Sequence, residues 1–136
     1  MLALQYSMNS KVDENWLTAR YPYLRAVVIE GAEAIEHHGW KWWKLQQLDR
    51  SQLQMELIDI WHFMMSEILL ECDGDLKQAT AYLTDDVESH GAGVLLFDGR
   101  TFQIDTLDLV SKLELLIGVS VARRVEVGLF AAIMVN

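Results

Sequence analysis

The chain has 136 residues, of which 51% are apolar, and a formal net charge of −9. This size and composition suit a single folded domain over residues 1–136 and exclude wholesale disorder. The acidic balance argues against a nucleic-acid-binding protein, which needs a basic face to neutralise phosphates. A small anionic ligand stays open, because a bound divalent cation can invert the local charge.

The cysteine content and the hydropathy bear on the cellular setting. The single cysteine, Cys72, has no partner for an internal disulfide, and we predict a small buried residue rather than a nucleophile. No basic segment followed by an apolar one opens the chain as in a signal peptide. No apolar run reaches the roughly 18 residues of a membrane span. We therefore expect a cytoplasmic protein that does not bind membranes.

Apolar residues recur mostly at helical spacing, which predicts an all-α fold, a compact bundle of about five to six helices. A first helix is predicted over residues 2–12 and a break over 13–22. Pro22 suits the opening of a second helix, Tyr23 to His38, and Gly39 supplies its stop. Residues 40–50 are predicted to form a loop. The longest helix follows, capped by Asp49 or Ser51 and ending near Glu71.

The C-terminal half has weaker signals. A turn is predicted at residues 73–75 and a shorter helix over 75–87. The Gly-rich stretch 89–101 stays unassigned, and another helix is predicted over 104–117, ended near Gly118. Residues 120–135 show no clear amphipathic stripe and are apolar nearly throughout after Arg124. We expect this last segment to pack against another surface, such as a second subunit.

Two pairs of acidic residues stand out because they lie in apolar sequence. Glu30 and Glu33 are three residues apart, as are Glu56 and Asp59, so each pair shares one helical face. No lysine or arginine occurs within residues 26–40. Unpaired carboxylates repel one another and are costly to bury, and a hard divalent cation relieves both problems. Oxygen ligands favour Mg²⁺ or Mn²⁺, and Mg²⁺ commonly takes substrate phosphates as ligands beside carboxylates, so the site indicates phosphoryl chemistry.

The acid pattern alone also fits other interpretations. Two ordinary amphipathic helices could each carry an acid pair on a wet face. Glu36 extends the first stripe by one turn, and we predict that it lies on the surface. Asp59 and His62 have the spacing found in di-iron bundles. Those bundles need the motif twice, and no acid lies three residues before His37.

The segment Trp40-Lys41-Trp42-Trp43-Lys44 combines three aromatic rings with two cations. Such a segment offers faces on which a base can stack and ammonium groups for phosphates. A hydrophobic lid or a dimer contact would fit the same residues equally well.

Taken in order, these motifs resemble those of a known family. The chain resembles the dimeric all-α dUTPases, members of the MazG-like group of NTP pyrophosphatases. The resemblance lies in the order Glu-x-x-Glu, then Trp-Lys-Trp-Trp-Lys, then Glu-Leu-Ile-Asp-Ile-Trp-His-Phe. The N-terminal Leu-Gln-Tyr-Ser-Met-Asn, residues 4–9, resembles that family's first motif. The resemblance covers residues 4 to about 70 and weakens through 71–119. It implies a helical fold, a homodimer and a deoxyuridine nucleotide as substrate.

The resemblance also implies roles for individual residues. Magnesium ions would be held by the two acid pairs, Glu30, Glu33, Glu56 and Asp59. The uracil edge would be read by Gln5 and Asn9, whose amides supply both donor and acceptor. Closure over the nucleotide would involve Trp43 and Lys44. The deoxyribose pocket would be lined by His62 and Phe63, which would reject a ribose hydroxyl.

The implied reaction is Mg²⁺-dependent hydrolysis of dUTP to dUMP and pyrophosphate. A metal-activated water would attack the α-phosphorus, and Glu30 or Glu33 would orient or deprotonate that water. The chain departs from the family's basic, Asn-rich C-terminal motif, because its segment 125–135 carries only Glu126 as a charge. A pyrophosphohydrolase for another (d)NTP and a catalytically impaired nucleotide-binding dimer are therefore alternatives.

Overall fold

The computed structural model describes residues 1–89 and 93–135 of the chain. In these residues the chain forms seven α-helices, where five to six were predicted, and one antiparallel pair of short strands. The helices are α1 (Leu2–Val12), α2 (Trp16–Ala19), α3 (Tyr23–His38), α4 (Arg50–Glu71), α5 (Leu76–Ser89), α6 (Leu109–Val121) and α7 (Val127–Met134). The strands are β1 (Val94–Phe97) and β2 (Arg100–Gln103). The predicted helical bundle is confirmed.

The two helices that carry the acid pairs begin and end at the predicted signals. Pro22 immediately precedes α3, where the missing N–H costs nothing. Gly39 follows α3 with φ +83°, a left-handed conformation that glycine adopts without strain. Asp49 caps α4, since its side chain accepts the backbone N–H of Gln52 at 3.1 Å.

Helix α3 packs against α4 on one side and α6 on another. Val27 and Ala34 of α3 are fully buried, and so is Ile60 of α4. Gly31 allows α6 to approach closely, because a Cβ there would lie 2.9 Å from Cγ1 of Ile117. This packing holds α3 and α4 in an antiparallel register that brings their acids to one surface.

The Gly-rich stretch left unassigned by the sequence contains a β-hairpin. Val94 pairs with Gln103 and Phe97 with Arg100. The connecting residues Asp98 and Gly99 both have positive φ, as expected for an Asp-Gly hairpin turn. The part of the unassigned stretch at residues 90–92 lies outside the described residues. The predicted break at 13–22 likewise contains structure, the short helix α2.

The predicted bounds of the helix over 104–117 were wrong at both ends, because α6 begins at Leu109 and ends at Val121. Its first residues, Ile104–Thr106, form a short 3-10 turn, and Asp108 caps α6 by accepting a backbone N–H of the first turn. Gly118 does not stop the helix but lies within it. A Cβ on Gly118 would lie 3.2 Å from Cε1 of Phe97, so this glycine admits β1 close to the helix.

The apolar C-terminal segment packs, at least in part, against its own chain. Leu129 and Ile133 of α7 are buried, and Phe130 stacks on Trp61 of α4 with ring centroids 5.4 Å apart. An apolar groove of about 470 Å³ remains between α4, α5 and α7. No helix in the described part of the chain is both long and apolar enough to cross a membrane.

Candidate active site

Three of the four acids singled out in the sequence meet between α3 and α4. Carboxylate oxygens of Glu30, Glu33 and Glu56 lie within 4.8 Å of one another. Glu56 is buried, and Oε2 of Glu30 is shielded from solvent without a hydrogen-bond partner in the described structure. The acid cluster, as we name these three residues, is therefore a group of like charges with an unsatisfied oxygen.

The electrostatics of the acid cluster are unfavourable for three ionised carboxylates. A hydrogen bond with Glu56 raises the pKa of Glu30 to about 8, and burial and the charges of Glu56, Glu33 and Asp59 contribute. A proton on Glu30 thus relieves the repulsion at neutral pH when no cation is bound. The set of oxygen donors, the excess negative charge and the unpaired oxygen all fit a hard divalent cation.

Two further side chains flank the acid cluster. Asp59 lies one turn along α4 from Glu56, outside the 4.8 Å group, yet its charge reaches Glu30. Nε2 of His37 lies 3.6 Å from Oε1 of Glu56. The cluster itself contains carboxylates only, which does not fit the carboxylate and histidine ligand set of a di-iron bundle.

Gln5 and Asn9 belong to α1 and meet α4 at Ser66, further along that helix than the acid cluster. Nε2 of Gln5 donates to Oδ1 of Asn9 at 2.8 Å, and Nδ2 of Asn9 donates to Oγ of Ser66 at 3.0 Å. Oγ of Ser66 in turn donates to the carbonyl oxygen of His62 at 2.8 Å. This hydrogen-bond relay joins α1 to α4 and includes Ser66, a residue that was not predicted from the sequence.

One face of α4 connects the acid cluster to the relay. Glu56, Asp59, Phe63 and Ser66 follow at helical spacing, and Ser66 lies two turns, about 10 Å, beyond Asp59. Phe63 stacks on Tyr23 of α3 with ring centroids 6.5 Å apart. This face runs from acids through an aromatic ring to the serine that holds the amide of Asn9.

His62, the other predicted residue of the sugar pocket, lies one position off this face. Its backbone carbonyl belongs to the relay through the hydrogen bond from Ser66. Its side chain is half-buried.

The tryptophan-rich loop begins directly after α3, one turn beyond Glu36. Its three rings contact one another edge to face, and the centroids of Trp42 and Trp43 are 4.5 Å apart. Trp42 is 85% exposed and Trp43 58% exposed. Lys44 is also exposed, and in the described residues no hydrogen bond or ion pair joins Trp43 or Lys44 to the acid cluster.

The base of this loop is anchored to α3 by Glu36. Oε2 of Glu36 accepts from Nε1 of Trp40 at 3.1 Å, and Oε1 accepts from Nζ of Lys41 at 2.9 Å. These bonds lower the pKa of Glu36, the bond from Lys41 most. Glu36 lies on the surface, as predicted, and serves the loop rather than the acid cluster.

A family profile described as dUTPase matches residues 1–112, which include the relay, the acid cluster and the loop. No curated protein and no solved structure matches the chain. The family profile covers most of the 136 residues. The chain therefore belongs to the dUTPase family of the all-α type, whose members are nucleotide hydrolases.

Proposed function

We propose that the protein is a magnesium-dependent dUTP diphosphatase that hydrolyses dUTP to dUMP and pyrophosphate. The observation that carries this proposal is the acid cluster with the unpaired buried oxygen of Glu30. Membership of the dUTPase family supports a deoxyuridine nucleotide as the substrate. Glu56 of the acid cluster and Ser66 of the relay lie on one face of α4, nearly three helical turns or about 15 Å apart, a separation that suits the phosphates and base of one nucleotide.

The divalent cation would be held by Glu30, Glu33 and Glu56, with Asp59 available one turn along α4. When bound, Mg²⁺ supplies a countercharge for the phosphates and lowers the pKa of a coordinated water. Mn²⁺ fits the same oxygen donors.

The remaining chemistry belongs to side chains of the chain itself. Glu30 or Glu33 orients the attacking water and takes its proton, because both carboxylates lie at the acid cluster. Lys44 has an exposed ammonium group that can reach the phosphates as the loop closes. Trp43 lies beside it and offers a ring that covers the nucleotide.

The base and sugar would bind further along α4. Gln5 and Asn9 hydrogen-bond the uracil edge, since their amides offer donors and acceptors close together. Phe63, held against Tyr23, packs on the deoxyribose together with His62. A ring packed against C2′ leaves no room for the ribose hydroxyl, so we expect dUTP to be preferred over UTP.

A homodimer is proposed from the apolar groove between α4, α5 and α7. Its walls include Ile58, Val87 and Met134, which are large apolar side chains exposed in the single chain. Exposed apolar patches of this kind commonly mark protein interfaces. Light scattering after size exclusion should give twice 15.6 kDa, and a mass of one chain would contradict the dimer.

Pyrophosphate release tests the enzymatic proposal. The purified protein is assayed with dUTP, UTP, dCTP and dTTP, with Mg²⁺ and with EDTA. Glu33→Gln should lose at least a hundredfold in kcat, in line with the contribution of a general base, while the exposed Glu114→Gln on α6 serves as the matched control. Preference for another base would favour a different (d)NTP. Nucleotide binding without turnover would favour the impaired dimer, which the uncharged α7 supports.

A further inference from the structure

Ser66 is a buried serine, 1% exposed, whose hydroxyl has one hydrogen-bond partner on α1 and one on α4. Its Oγ lies 2.8 Å from the carbonyl oxygen of His62 and 3.0 Å from Nδ2 of Asn9. A backbone carbonyl can only accept a hydrogen bond, so the single hydroxyl hydrogen of Ser66 is committed to His62. The hydroxyl therefore presents only lone pairs to Asn9.

The hydrogen bond from Ser66 to His62 therefore fixes the orientation of the Asn9 and Gln5 amides. Asn9 must turn its NH₂ group to Ser66, which leaves its oxygen facing Gln5. Gln5 must then turn its own NH₂ group to that oxygen, and Nε2 donates to Oδ1 at 2.8 Å. An amide without such a partner has no strong preference between two orientations that differ by 180°, because oxygen and nitrogen are similar in size.

We propose that Ser66 is a positioning residue that sets the base specificity of the site by fixing the polarity of the Asn9 and Gln5 amides. The proposal rests on the proposed function, in which these amides read the base. In the fixed orientation Asn9 retains a second N–H as a donor and Gln5 retains its carbonyl oxygen as an acceptor. Uracil offers an acceptor at O4 beside a donor at N3, which complements this pair.

Cytosine carries the opposite arrangement, with a donor at the 4-amino group and an acceptor at N3. It would place donor against donor and acceptor against acceptor at a site of fixed polarity. Polar groups left unpaired in a buried site account for strong rejection of near-isosteric ligands. Freely reorienting amides would serve either base, so selectivity depends on the group that prevents the reorientation.

The test compares kcat/KM for dUTP with kcat/KM for dCTP in matched variants. Ser66→Ala should lower the dUTP to dCTP ratio about tenfold, because the Asn9 amide can then turn over. Ser66→Thr should retain the ratio, since a threonine hydroxyl makes the same bond to the carbonyl four residues earlier. Ser120→Ala is the matched control, because Ser120 is an equally buried serine on α6. It should leave the ratio unchanged.

A second variant tests the polarity even where Ser66→Ala does not fold. Asn9→Asp keeps the shape of the side chain but removes its donors. A carboxylate there repels O4 of uracil and accepts from the 4-amino group of cytosine. Asn9→Asp should therefore reduce kcat/KM for dUTP more than for dCTP, and an unchanged ratio would overturn the assignment of the donor to Asn9.

The outcomes separate this inference from the proposed function. A wild-type protein without preference for dUTP over dCTP would contradict both. A uracil-selective wild type whose ratio is the same in Ser66→Ala as in Ser120→Ala would overturn the role of Ser66 and leave the diphosphatase proposal standing. A fall in the ratio that Ser66→Thr restores would support the inference, because a merely structural role would not move the ratio between two bases.

Discussion

Replacement of Glu30 by glutamine should stabilise the protein when no divalent cation is present and weaken the stabilisation that Mg²⁺ provides. In the cation-free protein Glu30 keeps a proton in order to lie beside Glu56. A glutamine amide can donate the same hydrogen bond to Glu56 without any proton being taken up. The variant thus removes the repulsion within the acid cluster and retains its local packing.

The size of the effect follows from the pKa of Glu30, which rises from 4.5 to about 8 on folding. At pH 7 Glu30 is protonated in the folded chain and ionised in the unfolded chain. This pH lies 2.5 units above the pKa of 4.5 in the unfolded chain. At about 1.36 kcal/mol per unit this gives an upper bound of about 3.4 kcal/mol. Solvent reaches part of this side chain, so we expect about 1–2 kcal/mol, or about 3–8 °C in Tm.

Thermal unfolding measured in EDTA and across a Mg²⁺ titration provides the assay, with Glu114→Gln as the control. In EDTA the wild type should lose stability as the pH rises from 4.5 through about 8, because the folded state binds the extra proton over this range. Glu30→Gln should show a smaller slope, because only the contribution of Glu30 is removed. Mg²⁺ should raise the Tm of the wild type more than that of the variant. A variant less stable than the wild type in EDTA, or an equal Mg²⁺ shift in both, would refute the reasoning.

Three further predictions concern other parts of the molecule. Glu36→Ala releases Trp40 and Lys41 from the loop base, so tryptophan emission should shift to the red and KM for the nucleotide should rise; unchanged emission would argue against the anchor. Burial raises the pKa of Glu71 to about 7, so Glu71→Gln should raise the free energy of unfolding at pH 8 more than at pH 5, by less than about 1 kcal/mol because solvent screens this partly buried carboxylate; the opposite order would contradict this. Trp16→Ala should cost about 3–5 kcal/mol in urea unfolding, because the ring is fully buried, and a loss below 1 kcal/mol would contradict its place in the core.

The bounds of α3 and the start of α4 could be predicted because their signals are local. Pro22 and Gly39 delimit α3 through their own backbone preferences, and Asp49 caps α4 with its own side chain. The hairpin was missed although Asp98-Gly99 is a hairpin signal. Its strands have only four residues each, too few for a clear alternation of apolar and polar residues.

Gly118 was misinterpreted for a related reason. Local preference makes a glycine near the end of an apolar run a plausible helix stop. Its actual environment is the ring of Phe97, twenty-one positions earlier in the chain. No local signal reports such a contact, so the end of α6 depends on tertiary packing.

The acid cluster was partly predictable. Spacing alone puts Glu30 and Glu33 on one face of a helix. Their approach to Glu56 depends on the register between α3 and α4, which comes from packing at positions such as Gly31. Ser66 carries no sequence signal, because its role exists only where Asn9 of α1 meets α4.

Release of pyrophosphate from dUTP, measured with Mg²⁺ and with EDTA, tests the central claim most directly. The account predicts release that requires the divalent cation, exceeds that from UTP, dCTP and dTTP, and falls at least a hundredfold in Glu33→Gln but not in Glu114→Gln. Background release from dUTP in the presence of Mg²⁺, or equal rates for the wild type and Glu33→Gln, would contradict it.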